Sequence, residues 1–415
     1  IPAALGAAGA VLRIAPDGGE DADLPFSFVT SSLGVDTYVL SLSMAELCGA
    51  RGFGLFYYEI LFLRGDDTLF SSTRENVTFS ISPASSGRFR LLVSEDGFTT
   101  PSWFAGGTMY HVFVDRFAPG KGERRADAYY HEHWNEEIEQ FGAYPGAPVR
   151  NDEFFGGTLW GVLEKLDYLA SLGVTVLYLS PIFRAASNHK YDTVDYTRID
   201  PHFGDESDLV ELINQAHKRG IRVILDGVFN HCGGGFRQFQ DVVEHGEESP
   251  FRDWFYIREF PVSFDPLNFD SFGDTPYTPR HPGLKNLSEE QLRTACMPKW
   301  NTENPQAKEY LLGAVAKWTR MGIDGWRLDV ATEVDSHFWR EFRETVRGIN
   351  PDALIIGEFW RNSEAWLQGD QYDGVMNYGV QRAAVEYFAK SAVAPQRFQE
   401  ILTENLMRYS DAAND

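Results

Sequence analysis

Two stretches of the sequence place charged side chains where an apolar strand should end. Residues 322–332, GIDGWRLDVAT, carry Arg327 and Asp329 two residues apart, and residues 353–360, ALIIGEFW, carry Glu358. In a strand, residues i and i+2 point to the same face, so Arg327 and Asp329 would project side by side. Burying such a pair adds little stability by itself, so the arrangement points to a functional role.

Carboxyl groups at the ends of neighbouring strands can act together on a sugar. Hydrolysis of a glycosidic bond with retention needs a carboxylate and a carboxylic acid about 5 Å apart. Arg327 would lower the pKa of Asp329 and keep it anionic, as a nucleophile must be. Glu358, beside that anion and between two aromatic residues, would keep its proton. Spacing alone leaves a structural Arg–Asp pair with an unrelated Glu as an equal alternative.

Two further polar groups follow apolar runs. Asp226 closes the run IRVIL, and Asn230 and His231 follow on the next loop. A strand-terminal Asp is as often a structural hydrogen-bonding partner as a functional group, whereas the polar neighbours of His231 favour a role in a site. The loop NHKYD carries His189 and Tyr191, which could bind the hydroxyls and stack on the ring of a pyranose. As an isolated motif, an ordinary polar loop explains it better.

Strands alternate with helices from residue 103 onward. The predicted strands cover residues 109–116, 174–182, 221–229, 322–332, 353–359 and 374–378. This alternation indicates a parallel sheet covered by helices. Polar residues recur at the carboxyl ends of at least four strands, where barrel active sites are built, so a closed (β/α)8 TIM barrel is favoured over an open sheet. Six predicted strands instead of eight lead us to expect that the sequence stops after about strand six.

The predicted barrel carries two additions. Residues 232–297, after strand three, are far longer than a usual loop and predict an inserted subdomain. Residues 1–102 contain short β runs separated by turns, which predicts an N-terminal antiparallel β-sandwich. The predicted domains are therefore 1–102 and 103–415. The first holds no catalytic constellation, so support, glycan binding, covering of an active site and dimerisation stay open as its role.

Composition excludes several classes of partner. A net charge of −23 argues against nucleic acid and anionic membranes. The sequence contains no run of 18 consecutive apolar residues, so no transmembrane helix is expected. The three cysteines, Cys48, Cys232 and Cys296, lie far apart without CxxC spacing, which argues against a zinc site and a disulfide framework and favours a reducing compartment. Without a basic leader region we expect a cytoplasmic protein, with secretion as the alternative.

Five motifs together resemble one enzyme family. DGVFNH (226–231), GWRLDVA (325–331) and GEFW (357–360) resemble three conserved regions of the α-amylase family, glycoside hydrolase family 13. SNHKYDTVDY (187–196) and MPKWN (297–301) resemble two more. The MPKWN, LDVATEV and QYDGVMNY stretches and the N-terminal β region are most similar to the neopullulanase, cyclomaltodextrinase and maltogenic-amylase branch, whose N-terminal module is starch-binding-like.

The resemblance implies an activity and a role for each residue. The reaction would be retaining hydrolysis of α-1,4-glucosidic bonds in starch, maltooligosaccharides, pullulan or cyclodextrins by double displacement. Asp329 would be the nucleophile and Glu358 the general acid/base. The resemblance assigns substrate binding to Tyr191, His189, His231, Arg327 and Asn230, and support of the site to Asp226. Members with this N-terminal module often dimerise, so a homodimer is expected too.

The sequence departs from the family pattern at two points. The family uses a third carboxylate, an Asp following a His near strand seven, and no such motif occurs before Asp415. The loop after Arg116, FAPGKGERRAD, has fewer Asn and Asp than members that bind calcium there, so a structural calcium ion stays open. Residues 127–133, DAYYHEH, predict a polar loop rather than a metal site. No cofactor is needed for the chemistry, and no metal ligands are assigned.

Two alternatives to hydrolysis follow from the same features. One is a transglycosylase of the same family, which would use the same two carboxyl groups and differ in its acceptor. The other is a glycan-binding protein with a catalytically incomplete barrel. Every catalytic position present is filled, which argues against the second alternative, whereas the missing third carboxylate argues for it.

Overall fold

The structure is a computed structural model that describes residues 1–124, 126, 128–136, 153–262 and 296–414. The chain divides into two compact units. One contains Ile1–Thr100 together with Phe359–Asp415, and the other is Pro101–Glu358. The first break falls close to the predicted boundary at residue 102, while the second break was not predicted. The assignment of the domains to 1–102 and 103–415 stays a prediction.

The elements are numbered in chain order over the described residues. The strands are β1 Gly9–Pro16, β2 Ala22–Pro25, β3 Ser27–Ser32, β4 Val35–Val39, β5 Gly54–Arg64, β6 Asp67–Ser72, β7 Ser80–Ser82, β8 Phe89–Val93, β9 Met109–Val112, β10 Tyr129–Tyr130, β11 Glu153–Phe154, β12 Val176–Leu179, β13 Phe183–Ala185, β14 Thr193–Ile199, β15 Arg222–Gly227, β16 Gly325–Leu328, β17 Leu354–Gly357 and β18 Gly374–Val375. The α-helices are α1 Met44–Cys48, α2 Leu159–Glu164, α3 Leu166–Ser171, α4 Glu206–His217, α5 Arg237–His245, α6 Pro305–Arg320, α7 Ser336–Ile349, α8 Tyr378–Ala384, α9 Pro395–Leu406 and α10 Asp411–Asn414.

The first unit is built on an antiparallel sheet. Its strand order is β2-β1-β5-β6-β7, and β8 pairs with β5 as well. Strands β3 and β4 form a separate antiparallel hairpin. Leu12, Ile14 and Phe56 form a buried core cluster, consistent with one apolar face of the sheet. The predicted β-rich, antiparallel character of the N-terminal region is confirmed.

Residues after Glu358 join this unit through buried ion pairs. Arg408 Nη1 lies 2.7 Å from Glu364 Oε1, and Arg408 Nη2 lies 2.6 Å from Glu75 Oε2. Arg90 Nη1 lies 2.9 Å from the same oxygen of Glu364. Two of these pairs, Arg90–Glu364 and Arg408–Glu75, link residues more than 270 positions apart, which local sequence patterns do not reveal.

The second unit contains a parallel sheet with helices between its strands. Strands β9, β12, β15, β16 and β17 lie side by side in that order, each parallel to the next. All four residues of β12, of β16 and of β17 are buried, as expected for strands covered on both faces. A Cβ at Gly325 would lie 2.2 Å from Leu354 O, so only glycine permits the close approach of β16 and β17. The predicted alternation of parallel strands and helices is confirmed.

Two details differ from expectation. The spacing of Leu163, Leu166 and Leu169 predicts one helix over residues 159–172, but the structure has two, because Lys165 leaves the helical conformation at φ −99° and ψ 5°. The strands are shorter than predicted; Asp329 and Glu358, for example, follow β16 and β17 instead of lying within them. The predicted inserted subdomain, 232–297, lies partly outside the described residues and stays a prediction; its described part contains α5, and Phe255 forms a bridge with Trp300.

Candidate active site

The strand register brings four charged residues to one edge of the parallel sheet. Asp226 at the end of β15 is the register partner of Arg327 on β16. Leu328 is the register partner of Gly357 on β17, so the next residues, Asp329 and Glu358, leave neighbouring strands at the same level. All four charged side chains are buried.

Arg327 is the centre of this cluster. Its Nη1 donates to Asp226 Oδ1 and Oδ2, both at 3.1 Å, and to Asp329 Oδ1 at 2.8 Å. Its Nη2 lies 2.9 Å from Glu358 Oε1. The predicted side-by-side placement of Arg327 and Asp329 is confirmed. Three carboxyl groups therefore share one guanidinium, and the cluster carries surplus negative charge even after it takes up one proton.

This surplus reverses one expectation from the sequence. Burial raises the pKa of the Asp329 carboxyl well above its ordinary value, and the charges of Asp226 and Glu358 add to the rise, while Arg327 acts against it. The predicted net lowering of this pKa is wrong, because one guanidinium is divided among three carboxyl groups. The Asp329 carboxyl therefore tends to retain a proton.

The backbone beside Asp329 is strained. Val330 has φ 46° and ψ 42°, the left-handed conformation that β-branched residues rarely adopt. In this conformation its N–H donates to Glu358 Oε2 at 3.2 Å, and the preceding N–H of Asp329 donates to Gly227 O at 3.0 Å. Such strain costs of order 1–3 kcal/mol and persists at sites whose geometry it serves. Here it directs a backbone donor at the second carboxyl group.

Asp226 is held by two tyrosines as well as by Arg327. Tyr191 OH donates to Asp226 Oδ2 at 2.9 Å, and Tyr178 OH donates to the same oxygen. His111 stacks on the Tyr178 ring with 4.4 Å between centroids. Burial raises the pKa of both tyrosines, so they remain neutral donors. Tyr178 and His111 were not predicted; a polar side chain inside each of two apolar strands was the available signal.

His231 and Asn230 lie in the loop directly after β15. His231 is completely buried, and burial lowers its pKa to about 4, so its ring is neutral near pH 7. Asn230 Nδ2 lies 3.2 Å from His231 Nδ1. An antiparallel bridge joins His231 to Lys299, and Trp300 N donates to Asn230 O at 3.0 Å. Residues Lys299 and Trp300 of the MPKWN segment therefore hold this loop in place through backbone contacts.

His189 and Tyr191 flank the same cluster from the loop after β13. Tyr191 N donates to His189 Nδ1 at 3.1 Å, and the two rings are 5.8 Å apart between centroids. Burial lowers the pKa of His189. All eight residues predicted from the sequence lie in the second unit, and contacts through Tyr191, Asp226 and Arg327 connect the aromatic group to the carboxyl groups.

A cavity of about 650 Å³ opens on the loops that leave this cluster. Thr332 and Glu333, which follow the Asp329 strand, line it together with Lys299 and Trp300. Lys299 Nζ donates to Glu333 O at 2.7 Å and holds the two loops together. Pockets of this size can hold small-molecule ligands, but Asp226, Asp329 and Glu358 do not line this one.

The described residues contain neither a cluster of metal-ligating side chains nor a membrane-spanning helix. Among the residues that the structure describes, no group of three or more His, Cys, Asp or Glu side chains could hold a metal ion. Part of the loop after Arg116, including residues 125 and 127, lies outside the described residues, and calcium there stays a prediction. No helix in the described part of the chain is long and apolar enough to cross a membrane.

Comparison with known proteins defines the class. The family profile described as "Alpha amylase, catalytic domain" matches residues 111–415. The chain belongs to the α-amylase family.

Its similar relatives fall in the branch that the sequence motifs predicted. Neopullulanase 2 of Thermoactinomyces vulgaris is 44% identical over 317 residues, which are 76% of this chain and 49% of the relative. Cyclomaltodextrinase of Thermoanaerobacter pseudethanolicus is 42% identical over 322 residues, 77% of this chain and 51% of the relative. The chain thus spans about half the length of the curated relatives it matches. The predicted resemblance to this branch is confirmed.

Solved structures agree with this placement. A cyclomaltodextrinase structure matches with a TM-score of 0.65 and 34% identity, covering 98% of this chain and 65% of that chain. The cyclic α-maltosyl-(1→6)-maltose hydrolase from Arthrobacter globiformis matches with a TM-score of 0.61 and 33% identity, covering 76% of this chain and 64% of that one. The parallel sheet of the second unit is therefore that of a TIM-barrel enzyme of this family.

Proposed function

We propose that the protein hydrolyses α-1,4-glucosidic bonds in α-glucans with retention of configuration. The observation that carries this proposal is the shared guanidinium: Arg327 contacts Asp329 at 2.8 Å and Glu358 at 2.9 Å, at the ends of neighbouring strands. Two carboxyl groups held on one cation are the pair that double displacement needs. The family and the printed names of the relatives, which include a neopullulanase and cyclomaltodextrinases, support α-glucans as the substrate class.

The two carboxyl groups divide the reaction between them. Glu358 donates a proton to the glycosidic oxygen while Asp329 attacks the anomeric carbon, which breaks the bond and forms a glycosyl ester on Asp329. Glu358, now a carboxylate, takes a proton from water, and the water oxygen displaces Asp329. The assignment of the nucleophile to Asp329 follows the family resemblance, because burial and shared charge do not favour its anion.

The surrounding side chains bind the sugar in this proposal. Tyr191 stacks on the ring at the cleavage site, and its hydroxyl is held by Asp226. His189, His231 and Asn230 bind hydroxyl groups; the lowered pKa of both histidines keeps the rings neutral, so each can donate and accept. Asp226 acts indirectly, because it fixes Arg327. The chemistry uses no cofactor, and a structural calcium ion after Arg116 stays a proposal.

We extend the proposal to the finer architecture and setting. The five parallel strands of the second unit belong to a (β/α)8 barrel with an inserted subdomain at about 232–297, and residues 1–102 form a β-sandwich of the starch-binding-like kind. A homodimer and a cytoplasmic location follow the same resemblance; the relative from Bacillus subtilis is named an intracellular maltogenic amylase.

The test replaces each carboxyl group in the full-length protein. Asp329→Asn and Glu358→Gln should each abolish release of reducing sugar from starch, pullulan and β-cyclodextrin, because each removes one half of the pair. Asp167→Asn is the matched control, since that carboxylate is exposed on α3. Activity of both variants near that of the unchanged protein would reject the proposal.

Two further measurements separate the alternatives. Calorimetric binding of maltotetraose by an unchanged protein that releases no sugar would favour a glycan-binding protein over an enzyme. If sugar is released, analysis of products at high maltose concentration distinguishes hydrolysis from transfer, because transfer yields chains longer than the substrate.

A further inference from the structure

The loop that carries His189 and Tyr191 contains a buried lysine between them. Lys190 has no exposed surface, although lysines are almost never fully buried without a partner. Its backbone has φ 64°, the left-handed region that few residues other than glycine adopt. The side chains of Lys190 and of the next residue, Tyr191, point in different directions. Tyr191 OH reaches Asp226, whereas Lys190 Nζ reaches Asp200.

The Lys190 ammonium lies in a closed aromatic and anionic pocket. Nζ donates to Asp200 Oδ2 at 2.8 Å and to Ala185 O at 3.3 Å. The rings of Phe154 and Phe203 lie 5.3 and 5.2 Å from it, within cation–π range. Burial alone would raise the pKa of the Asp200 carboxyl, but Lys190 outweighs burial and holds this pKa below its ordinary value. The pair is therefore ionised and fixed.

The backbone around Lys190 is held at both ends of the turn. Lys190 N donates to Ser187 Oγ at 2.9 Å, and Thr193 Oγ1 donates to Lys190 O at 3.2 Å. Ser187 N in turn donates to Asp192 Oδ2 at 3.1 Å. These bonds close the loop into one conformation, and the ion pair anchors that conformation to the interior.

Stability alone is a poor explanation for this arrangement. A buried ion pair contributes little net stability, because desolvation offsets the attraction, and apolar residues of similar volume often serve better. The ion pair instead sets the direction of the turn: it draws the Lys190 side chain inward to Asp200, while the hydroxyl of the adjacent Tyr191 reaches Asp226.

We propose that Lys190 is a positioning residue, whose buried ion pair with Asp200 fixes the left-handed turn that aims Tyr191 and His189 at the sugar. The inference deepens the proposed function and rests on it for the identity of the ligand. It assigns to Lys190 a role in substrate placement without contact to the substrate.

The experiment compares Lys190→Met with the double variant Lys190→Met/Asp200→Asn in the full-length protein, using maltotetraose. Lys190→Met should lower kcat/KM about 10- to 100-fold, since a misplaced binding group has an effect of that size. It also leaves the buried Asp200 carboxylate without its ammonium partner, with His202 Nδ1 at 3.5 Å as the nearest remaining side chain, which lowers Tm. The double variant removes this unpaired charge, so it should recover Tm but not kcat/KM. Lys308→Met, which removes an ion pair with Glu341 on the outer helices, should leave kcat/KM unchanged.

A double-mutant cycle of Lys190→Met and Tyr191→Ala tests whether Lys190 acts through Tyr191. If it does, Tyr191→Ala should cause little further loss of kcat/KM in the Lys190→Met background, although it causes a large loss alone. Fully additive effects, or recovery of kcat/KM together with Tm in the double variant, would overturn the proposal.

A binding measurement separates the role of Lys190 from the proposed function. In a Glu358→Gln background, Lys190→Met should weaken calorimetric binding of maltotetraose about tenfold or more, by the same loss of placement. Unchanged binding would reject the role of Lys190. Absence of sugar release by the unchanged protein would instead reject the proposed function and leave the binding comparison as the deciding result for Lys190.

Discussion

Arg327 Nη2 lies 2.9 Å from Glu358 Oε1, so the cation beside the proposed nucleophile also holds the proposed acid. Asp329 contacts the same guanidinium at 2.8 Å, so the two carboxyl groups share one cationic partner. Asp226 contacts the same guanidinium through both of its oxygens. A change at any one of these residues should be felt by all of them.

Arg327→Met should destabilise the protein by about 3–5 kcal/mol at pH 7, because it leaves buried carboxylates without their cation. The loss should shrink on acidification, since protonation removes the unpaired charge. Urea unfolding at pH 7 and pH 5 measures both effects. Arg198→Met is the control, because its ion pair with Asp195 is exposed and should contribute less than about 1 kcal/mol. Equal stability of the two variants would contradict this view of the cluster.

His231 should make the protein sensitive to acid. Its pKa is lowered from 6.5 to about 4 by burial, so below pH 6.5 the unfolded chain binds a proton that folded His231 does not. Stability is therefore full above pH 6.5 and falls as the pH drops toward 4, by about 2 kcal/mol at pH 5.

The variant His231→Gln should accordingly have a flatter profile of unfolding free energy between pH 7 and pH 5. Some slope should remain, because burial also lowers the pKa of His111 and of His189. The exposed His245, replaced by Gln, serves as the control and should keep the original slope. An unchanged slope in His231→Gln would show that His231 does not titrate as inferred.

Tyr178→Phe should lower the free energy of unfolding by about 1.5–3 kcal/mol, the usual contribution of a hydrogen bond to a charged group. The ring and its stacking with His111 are retained, so the loss reports the hydroxyl that donates to Asp226. Tyr168→Phe, at an exposed position, should change stability by less than about 0.5 kcal/mol. A Tyr178→Phe variant as stable as this control would remove Tyr178 from the network.

At position 330 a glycine variant should be more stable than an alanine variant, the reverse of the usual order within a helix. Because its φ is 46°, Val330→Gly should be more stable than Val330→Ala by about 1 kcal/mol, since alanine retains the left-handed strain and glycine does not. At Val346, buried within α7, alanine should be more stable than glycine by about 1 kcal/mol. Thermal unfolding of the four variants measures these stability differences. If alanine is more stable than glycine at both positions, the backbone at Val330 is not strained.

Part of the site follows from local rules of the sequence. Arg327 and Asp329 could be paired from the two-residue period of a strand. Asp226, Asn230 and His231 could be placed at a strand end because they interrupt an apolar run. The alternation of strands with helices likewise predicted the parallel sheet.

Other features depend on information that no local pattern contains. Tyr178 and His111 are polar side chains inside apolar strands, but an aromatic residue there is ordinarily core, so this local signal does not assign them to the site. Lys190 is in a polar loop, where a lysine is ordinarily exposed, and its inward direction depends on Asp200 ten residues later. The pKa of Asp329 was predicted in the wrong direction because the sequence shows its neighbour Arg327 but not the other carboxyl groups that compete for it.

The shared guanidinium also has a consequence for which glucans the site accepts. Three carboxyl groups on one cation leave a negative field at the point of cleavage, and a low-dielectric surrounding strengthens it. We expect phosphate or uronate groups next to the scissile bond to be repelled, so that phosphorylated maltooligosaccharides are cut only at linkages several residues from the phosphate. Mapping the cleavage positions on such chains by mass spectrometry checks this, and cleavage directly beside a phosphate would contradict it. Under the proposed function, the negative charge of the site thus excludes anionic glucans independently of the contacts to hydroxyl groups.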